Sequence, residues 1–425
     1  MKKILIATTL AAASLSACTT GTNTKSELKS EINKDMSLNE KLSEIQKKYD
    51  ILGMSVVAQE KGKTVFERYA GLKDHERELA VDANTKYRVA SISKYVVTTG
   101  LMKLYEQGKF DLEEDVSTYL GYPLRNPHHP DKKITIKHIL THSSGLSDSD
   151  YYFNFLMDTY RQKSPKLQEV FTEGNQYYND STWNTFEPGV HFEYSNLGFG
   201  VIGNLIEKFS GKRFDVYMKE ELLTPLGIQG SFNPEDLANI DDLSTLYRRK
   251  ELSPDSVWVP QTDHYQGERP EPRKDLETYQ VGDNGVAFGP QGSFRGSAED
   301  LAKIMQLHLN KGTYNGVQLL KPETVALMDS AHFVTDGDKL FKEVGLCTHI
   351  TEDMIPGTRL YGHTGDAYGL HSVMFFDPKT EKGVVIIMNS SMVEESELGF
   401  YTVELELMRA IWGELFNEEE LSMNN

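Results

Sequence analysis

Apolar runs near both ends of this 425-residue chain constrain its fold more than any other feature. Residues 54–59 and 64–69 read as two strands joined by a hairpin at Lys61-Gly62. Residues 372–376 and 384–388 repeat that arrangement across Asp377-Pro378-Lys379. A helix accompanies each pair: Leu38, Leu42, Ile45 and Tyr49 share one apolar stripe, and Phe400, Val403, Leu407 and Ile411 share another. Two strands and a helix at each end predict an α/β (α+β) fold, in which one antiparallel sheet is assembled from both termini and flanked by helices.

The middle of the chain reads differently. Between residues 108 and 291, helical pieces at 134–141 and 198–209 alternate with long irregular runs, which predicts an inserted, mainly helical domain. The flanking segments 38–107 and 292–420 would then form the α/β part. Stretches without regular structure are usually functional or disordered at such lengths. Residues 147–188, crowded with Tyr, Phe and Trp, read as a cleft wall, and residues 254–282, rich in Pro and charge, as a solvated excursion. Ser297-Ala298-Glu299-Asp300 has the pattern of a capping box before Leu301, Ile304, Met305 and Leu309.

Composition narrows the class of function. A charged fraction of 25% and a hydrophobic fraction of 39% suit a globular enzyme, and a net charge of -18 opposes nucleic acid and anionic membrane surfaces. No Gly-rich phosphate loop follows a strand. Lys2 and Lys3 precede an apolar run far too short to span a bilayer, so residues 1–17 read as a secretion signal. Leu15-Ser16-Ala17-Cys18 resembles the lipobox of bacterial lipoproteins, which implies lipidation of Cys18 and a cell-envelope location, periplasm-facing in a Gram-negative cell. The polar residues 18–37 read as a flexible tether. Cys347 is the other cysteine of the 2, so the mature chain has no internal disulfide. Val344-Gly345-Leu346-Cys347 reads as a buried strand with its thiol in the core.

The chemistry centres on Ser91-Ile92-Ser93-Lys94. A serine hydroxyl needs a base beside it and donors for the negative charge that develops on the carbonyl it attacks. A lysine three residues along a helix lies on the same face as the serine. Ser26-Glu27-Leu28-Lys29 has the same spacing, but only the later copy sits between a short apolar run and a helical pattern. Tyr194-Ser195-Asn196 and His363-Thr364-Gly365 follow in the order a serine acyl-transfer site requires. The Tyr-x-Asn pattern also occurs at Tyr152 and Tyr177, so order and flanks carry the assignment rather than any one motif.

With these segments, residues 134–146 and the stretches around Gly189–Gly203 and Gly296–Leu301, the chain resembles the serine β-lactamase and penicillin-binding protein superfamily. Class C β-lactamases, DD-carboxypeptidases and related esterases are the members it looks like. The resemblance implies Ser91 as nucleophile, Lys94 and Tyr194 as proton-transfer groups, and Asn196 on the substrate's acyl side. It implies an oxyanion hole from the backbone N–H groups of Ser91 and Asp366, with His363, Thr364 and Gly365 along the substrate. Which of Lys94 and Tyr194 is the base stays open at this point. No cofactor is implied, and His138 with His142 lacks the carboxylate partner of a zinc site.

Two departures stand out. His363 replaces the lysine usual in such β-lactamases; if it holds a substrate carboxylate as a cation, affinity should fall between about pH 5.5 and 7.5. Asp366 sets an acidic side chain beside an oxyanion donor. The expected activity is therefore a serine hydrolase acting on a peptide, amide or ester, D-alanyl peptides included. An esterase with weak β-lactamase activity and a non-catalytic sensor or scaffold are the alternatives. The expected partner is a small-molecule or peptide substrate, without nucleic acid.

Overall fold

Met54, Val56 and Ala58 leave the first strand on one side and Val57 on the other, and all are buried. A strand that is apolar on both faces needs cover on both faces. The computed structural model describes residues 36–251, 253 and 255–416 and supplies that cover. Its strands are β1 (Gly53–Glu60), β2 (Lys63–Asp74), β3 (Leu79–Ala80), β4 (Phe333–Val334), β5 (Glu343–Val344), β6 (His349–Thr351), β7 (Leu360–Ala367), β8 (Leu370–Asp377) and β9 (Lys382–Asn389). They form one 9-stranded sheet in the order β4-β5-β6-β7-β8-β9-β1-β2-β3, antiparallel at each pairing. The join between β9 and β1 brings the two ends of the chain together, with Val56 opposite Ile386.

Two cores lie against this sheet. Val56, Val373, Phe375 and Ile386 pack with Leu42 and Ile45 of α1 (Leu38–Lys48), and with Val403, Leu407 and Ile411 of the C-terminal helix, Thr402–Phe416. Val57, Met374, Val385 and Ile387 face the other way, into the core shared with α2 (Ile92–Glu106) and the helix Ala298–Leu309. Between these last two come α3 (Ile136–Leu140), α4 (Asp150–Tyr160) and α5 (Asn196–Ser210), so the helices at Ala298 and Thr402 are α6 and α7. Capping boxes at Ser37–Glu40 and Ser297–Asp300 satisfy the first N–H groups of α1 and α6.

Several elements depart from the sequence reading. β2 runs on to Asp74, beyond the expected end near residue 69. The 147–188 stretch contains α4. The 254–282 stretch is exposed or half-buried along most of its length, as read, but it is also anchored: Asp263, buried, meets Arg295 Nη2 through Oδ1 at 2.7 Å, and Asp275, buried, meets Arg273 Nη2 within the stretch at 2.6 Å. Cys347 lies in a turn, not a strand. Its φ of 62° is left-handed, and its N–H is drawn away from the sheet to Leu140 O at 2.9 Å. The predicted signal, Cys18 and nearly all of the predicted tether fall outside the described residues. Among those described, no helix is long and apolar enough to cross a membrane.

Candidate active site

Ser91 stands at a forced corner. Tyr87–Arg88 pairs with Arg295–Gly296, and Val89 N–H donates to Phe294 O at 2.9 Å. Ala90 then takes a left-handed φ of 50°, unusual for a residue with a Cβ, and α2 begins. Ser91 occupies the N-cap position, but its side chain makes no cap hydrogen bond, which leaves Oγ available. The next serine is structural, since Ser93 Oγ accepts from Phe294 N at 3.0 Å.

Lys94 is wholly buried at the first turn of α2. Its Nζ lies 3.1 Å from Ser91 Oγ, 2.7 Å from Asn196 Oδ1 and 2.6 Å from Gln291 O. The last two are acceptors only, so two N–H bonds are committed whatever the charge on nitrogen. The third position faces Ser91: a donor in the ammonium form, a lone pair in the amine. Burial lowers the Lys94 pKa to about 8, with the Asp148 carboxylate pulling the other way.

Asn196 cannot turn its amide around. Nδ2 donates to Asp148 Oδ2 at 2.7 Å, and a carboxylate only accepts, so Oδ1 must point at the lysine. Asp148 Oδ2 also takes Asn196 N at 3.0 Å, and Oδ1 takes Leu197 N at 2.9 Å, which fixes the first turn of α5.

Tyr194 completes the cluster. Lys94 Nζ sits 4.9 Å from its ring centroid. His142 packs on the ring at 4.3 Å and 26°, and Phe341 at 5.4 Å and 28°. The phenol oxygen is buried without a well-formed hydrogen bond, although the Ser91 hydroxyl is near enough to pull its pKa downward. Burial wins and pushes the phenol well above its ordinary range, so it is neutral near pH 7. His142 Nδ1 accepts from Ser195 N at 3.2 Å, leaving the proton on Nε2. Burial, and then the Lys94 charge, lower its pKa and keep the ring neutral.

β7 forms the other side. A Cβ on Gly365 would lie 2.5 Å from Val89 O and 3.2 Å from Ser91 N, so only glycine lets this strand reach the serine. Thr364 is half-buried beside it. His363 points inward, 2% exposed, and donates from Nδ1 to Thr364 O at 2.6 Å. Burial lowers its pKa to about 4, opposed by that backbone bond, so it carries no charge over the pH 5.5–7.5 range in which the sequence reading had it titrate. Asp366 turns its carboxylate away to accept from the Tyr401 hydroxyl at 2.6 Å.

The structure thus gathers Ser91, Lys94, Tyr194, Asn196 and the 363–366 strand around one point. Asp148, His142, Gln291 and Phe341 went unnoticed as neighbours in the sequence. His142 did show there, as half of a rejected zinc pair; His138 instead serves the start of α3 through the Thr135 cap. Among the described residues no cluster of three or more His, Cys, Asp and Glu is arranged to hold a metal ion.

A serine and a buried amine at the start of a helix, with a phenol and the interior strand β7 closing on them, are the arrangement of a serine hydrolase site. The beta-lactamase family model matches residues 38–404, and the chain belongs to that family as a β-lactamase-related serine hydrolase. It is 27% identical over 345 residues to the N-acetylmuramyl-L-alanine amidase of Bacillus subtilis (strain 168), covering 76% of this chain and 72% of that one. Protein flp of Staphylococcus aureus (strain MRSA252) matches at 27% over 178 residues, 41% of this chain and 34% of flp, about a third of its length. The octameric penicillin-binding protein homologue from Pyrococcus abyssi superposes with a TM-score of 0.69 at 23% identity, over 90% of this chain and 78% of that one.

Proposed function

We propose that this chain forms an acyl-enzyme at Ser91 and hydrolyses a peptide, amide or ester bond, with D-alanyl cell-wall peptides as the first substrate class. The observation that carries the reading is Lys94 Nζ, 3.1 Å from Ser91 Oγ with its two other positions committed to acceptors. As a neutral amine it takes the Ser91 proton while Oγ bonds to the carbonyl carbon. The carbonyl electron pair moves to oxygen, where the N–H groups of Ser91 and Asp366 receive it. Collapse restores the carbonyl and breaks the bond to the leaving group, which takes the Tyr194 proton. Lys94 returns its extra proton to Tyr194, and the amine is free again. Water then attacks the ester along the reverse route, freeing the acid and Ser91. The name of the Bacillus subtilis relative, an amidase, favours an amide substrate. The lipobox at Cys18 supports an envelope location, and Cys18→Ser should release the protein from membranes into the soluble fraction.

Treating the purified protein with a fluorescent penicillin or a fluorophosphonate, followed by mass mapping, tests the site. The adduct should fall on Ser91 and vanish in Ser91→Ala. No adduct from either reagent would leave the cleft a binding site without acyl chemistry. D-Ala-D-Ala peptides, nitrocefin and p-nitrophenyl esters compared side by side then rank the substrate classes.

A further inference from the structure

Alongside the C-terminal half of β7 lies a cavity of about 430 Å³ that has Thr364, Gly365 and Asp366 in its wall. It therefore shares the strand whose Gly365 abuts the Ser91 backbone. Glu395, Tyr401 and Glu404 come from α7 and the segment leading into it, and Asp338 and Lys339 from the turn between β4 and β5. Asp338 is already engaged, accepting Leu340 N at 2.9 Å and Phe341 N at 2.6 Å.

Glu404 is the unexpected member, only 3% exposed. Its Oε2 caps α7 by accepting from Tyr401 N at 3.0 Å. The hydrogen bond that Glu404 accepts from a described residue falls on Oε2 alone, and the side chain lines the cavity. Its Oε1 is therefore open to a donor placed in the cavity. Asp366 adds a second acceptor, its Oδ1 left 3.7 Å from a His371 ring that burial keeps uncharged. Lys339, exposed at the rim, is the one basic side chain in the wall.

We propose that this cavity is a subsite for a positively charged substituent of the substrate, a primary ammonium held by Glu404 and Asp366. The proposal rests on the acyl-enzyme reading of Ser91. Burial, with the Asp366 charge adding to it, raises the Glu404 pKa to about 8 against the Tyr401 N–H bond. The Glu404 carboxyl thus holds its proton at neutral pH, and an arriving ammonium displaces it. A primary ammonium keeps its own charge to about pH 10.4, so its affinity rises as Glu404 ionises and levels off above pH 8.

Two fluorophosphonates of equal chain length, one ending in an ammonium and one in a methyl group, test this through the ratio of their labelling rates at Ser91. The ratio cancels the titration of Lys94, which acts on both reagents. It should exceed about tenfold at pH 8.5, the scale of one charge-assisted hydrogen bond, and fall at pH 6 to the smaller preference that Asp366 supplies alone. Glu404→Gln, which mimics the protonated carboxyl and retains an oxygen for the cap, should bring the ratio at pH 8.5 down to the parental value at pH 6 and abolish its pH dependence. A ratio near unity in the parent at pH 8.5, or one unchanged by Glu404→Gln, overturns the proposal. Should neither reagent label Ser91, the acyl-enzyme reading falls and calorimetry on Ser91→Ala decides the cavity separately. Hexylammonium binding about tenfold tighter than hexanol, and losing that advantage with Glu404→Gln, supports the subsite; equal binding overturns it.

Discussion

Lys94 gives its hydrogen bonds to three neutral oxygens and takes no carboxylate in direct contact. That arrangement lets burial lower its pKa to about 8, while burial pushes Tyr194 upward. In the free enzyme the amine is therefore the group that can empty itself of a proton near neutrality, and the phenol is the one that holds its proton for donation. Acylation of Ser91 should rise with pH to a plateau above about 8, because the cation below that value has no lone pair. Lys94→Arg retains the charge without the base, since guanidinium does not deprotonate. It should cost about 100- to 10000-fold in acylation rate; near-parental activity in that variant would exclude the base role. Asp148→Asn tests the second layer. Losing the carboxylate frees the Asn196 amide to turn and removes a charge that favours the Lys94 cation. Acylation should fall about 10- to 100-fold and the midpoint of the pH profile should move below 8. An unshifted midpoint would leave Asp148 a helix cap only. Ser91, Lys94 and Tyr194 were legible because they sit in local patterns, whereas Asp148 meets Asn196 from 48 residues away with no motif of its own.

Elements with a clear period were legible, and those held by their neighbours were not. α1, α6 and α7 announce themselves as apolar stripes, and β8 and β9 as apolar runs buried on both faces. β7, with two glycines, a histidine and an aspartate in Leu360–Ala367, has little strand propensity and is held by pairing with β6 and β8. The Cys347 turn was misread for the opposite reason: its residues are apolar, but a contact with Leu140 O bends them. Because β7 reaches Ser91 through the missing side chain at Gly365, Gly365→Ala is an element-scale test. The new methyl meets Val89 O and Ser372 Oγ at 2.5 Å, so the strand must move away from the start of α2. Overpacking of this kind costs about 1–3 kcal/mol of stability. Displacing the oxyanion donors should lower Ser91 labelling by about 100-fold or more. A variant that labels at the parental rate would place the oxyanion donors elsewhere.

At the scale of the whole molecule, the charged 254–282 stretch shows what composition leaves out. Many of its charges are exposed, yet Asp263 is buried and grips Arg295 through two hydrogen bonds of 3.0 and 2.7 Å. Arg295 lies in the short strand that pairs with Tyr87–Arg88, a few residues before Ser91. The stretch therefore ties the middle of the chain to the corner that presents the nucleophile. Asp263 has a left-handed φ of 56°, which asparagine tolerates, so Asp263→Asn removes the charge without straining the backbone. It leaves a guanidinium buried and unpaired, which costs about 3–5 kcal/mol, whereas an apolar replacement of both partners is often close to neutral. In urea unfolding, Asp263→Asn should lower the midpoint at constant slope, and Asp263→Leu with Arg295→Met should recover part of the loss. If the pair matters to the site as well, Asp263→Asn should slow Ser91 labelling even where the protein is fully folded. A variant that unfolds at the parental urea concentration would mean that water reaches Arg295 and that the stretch is the solvated loop its composition predicts.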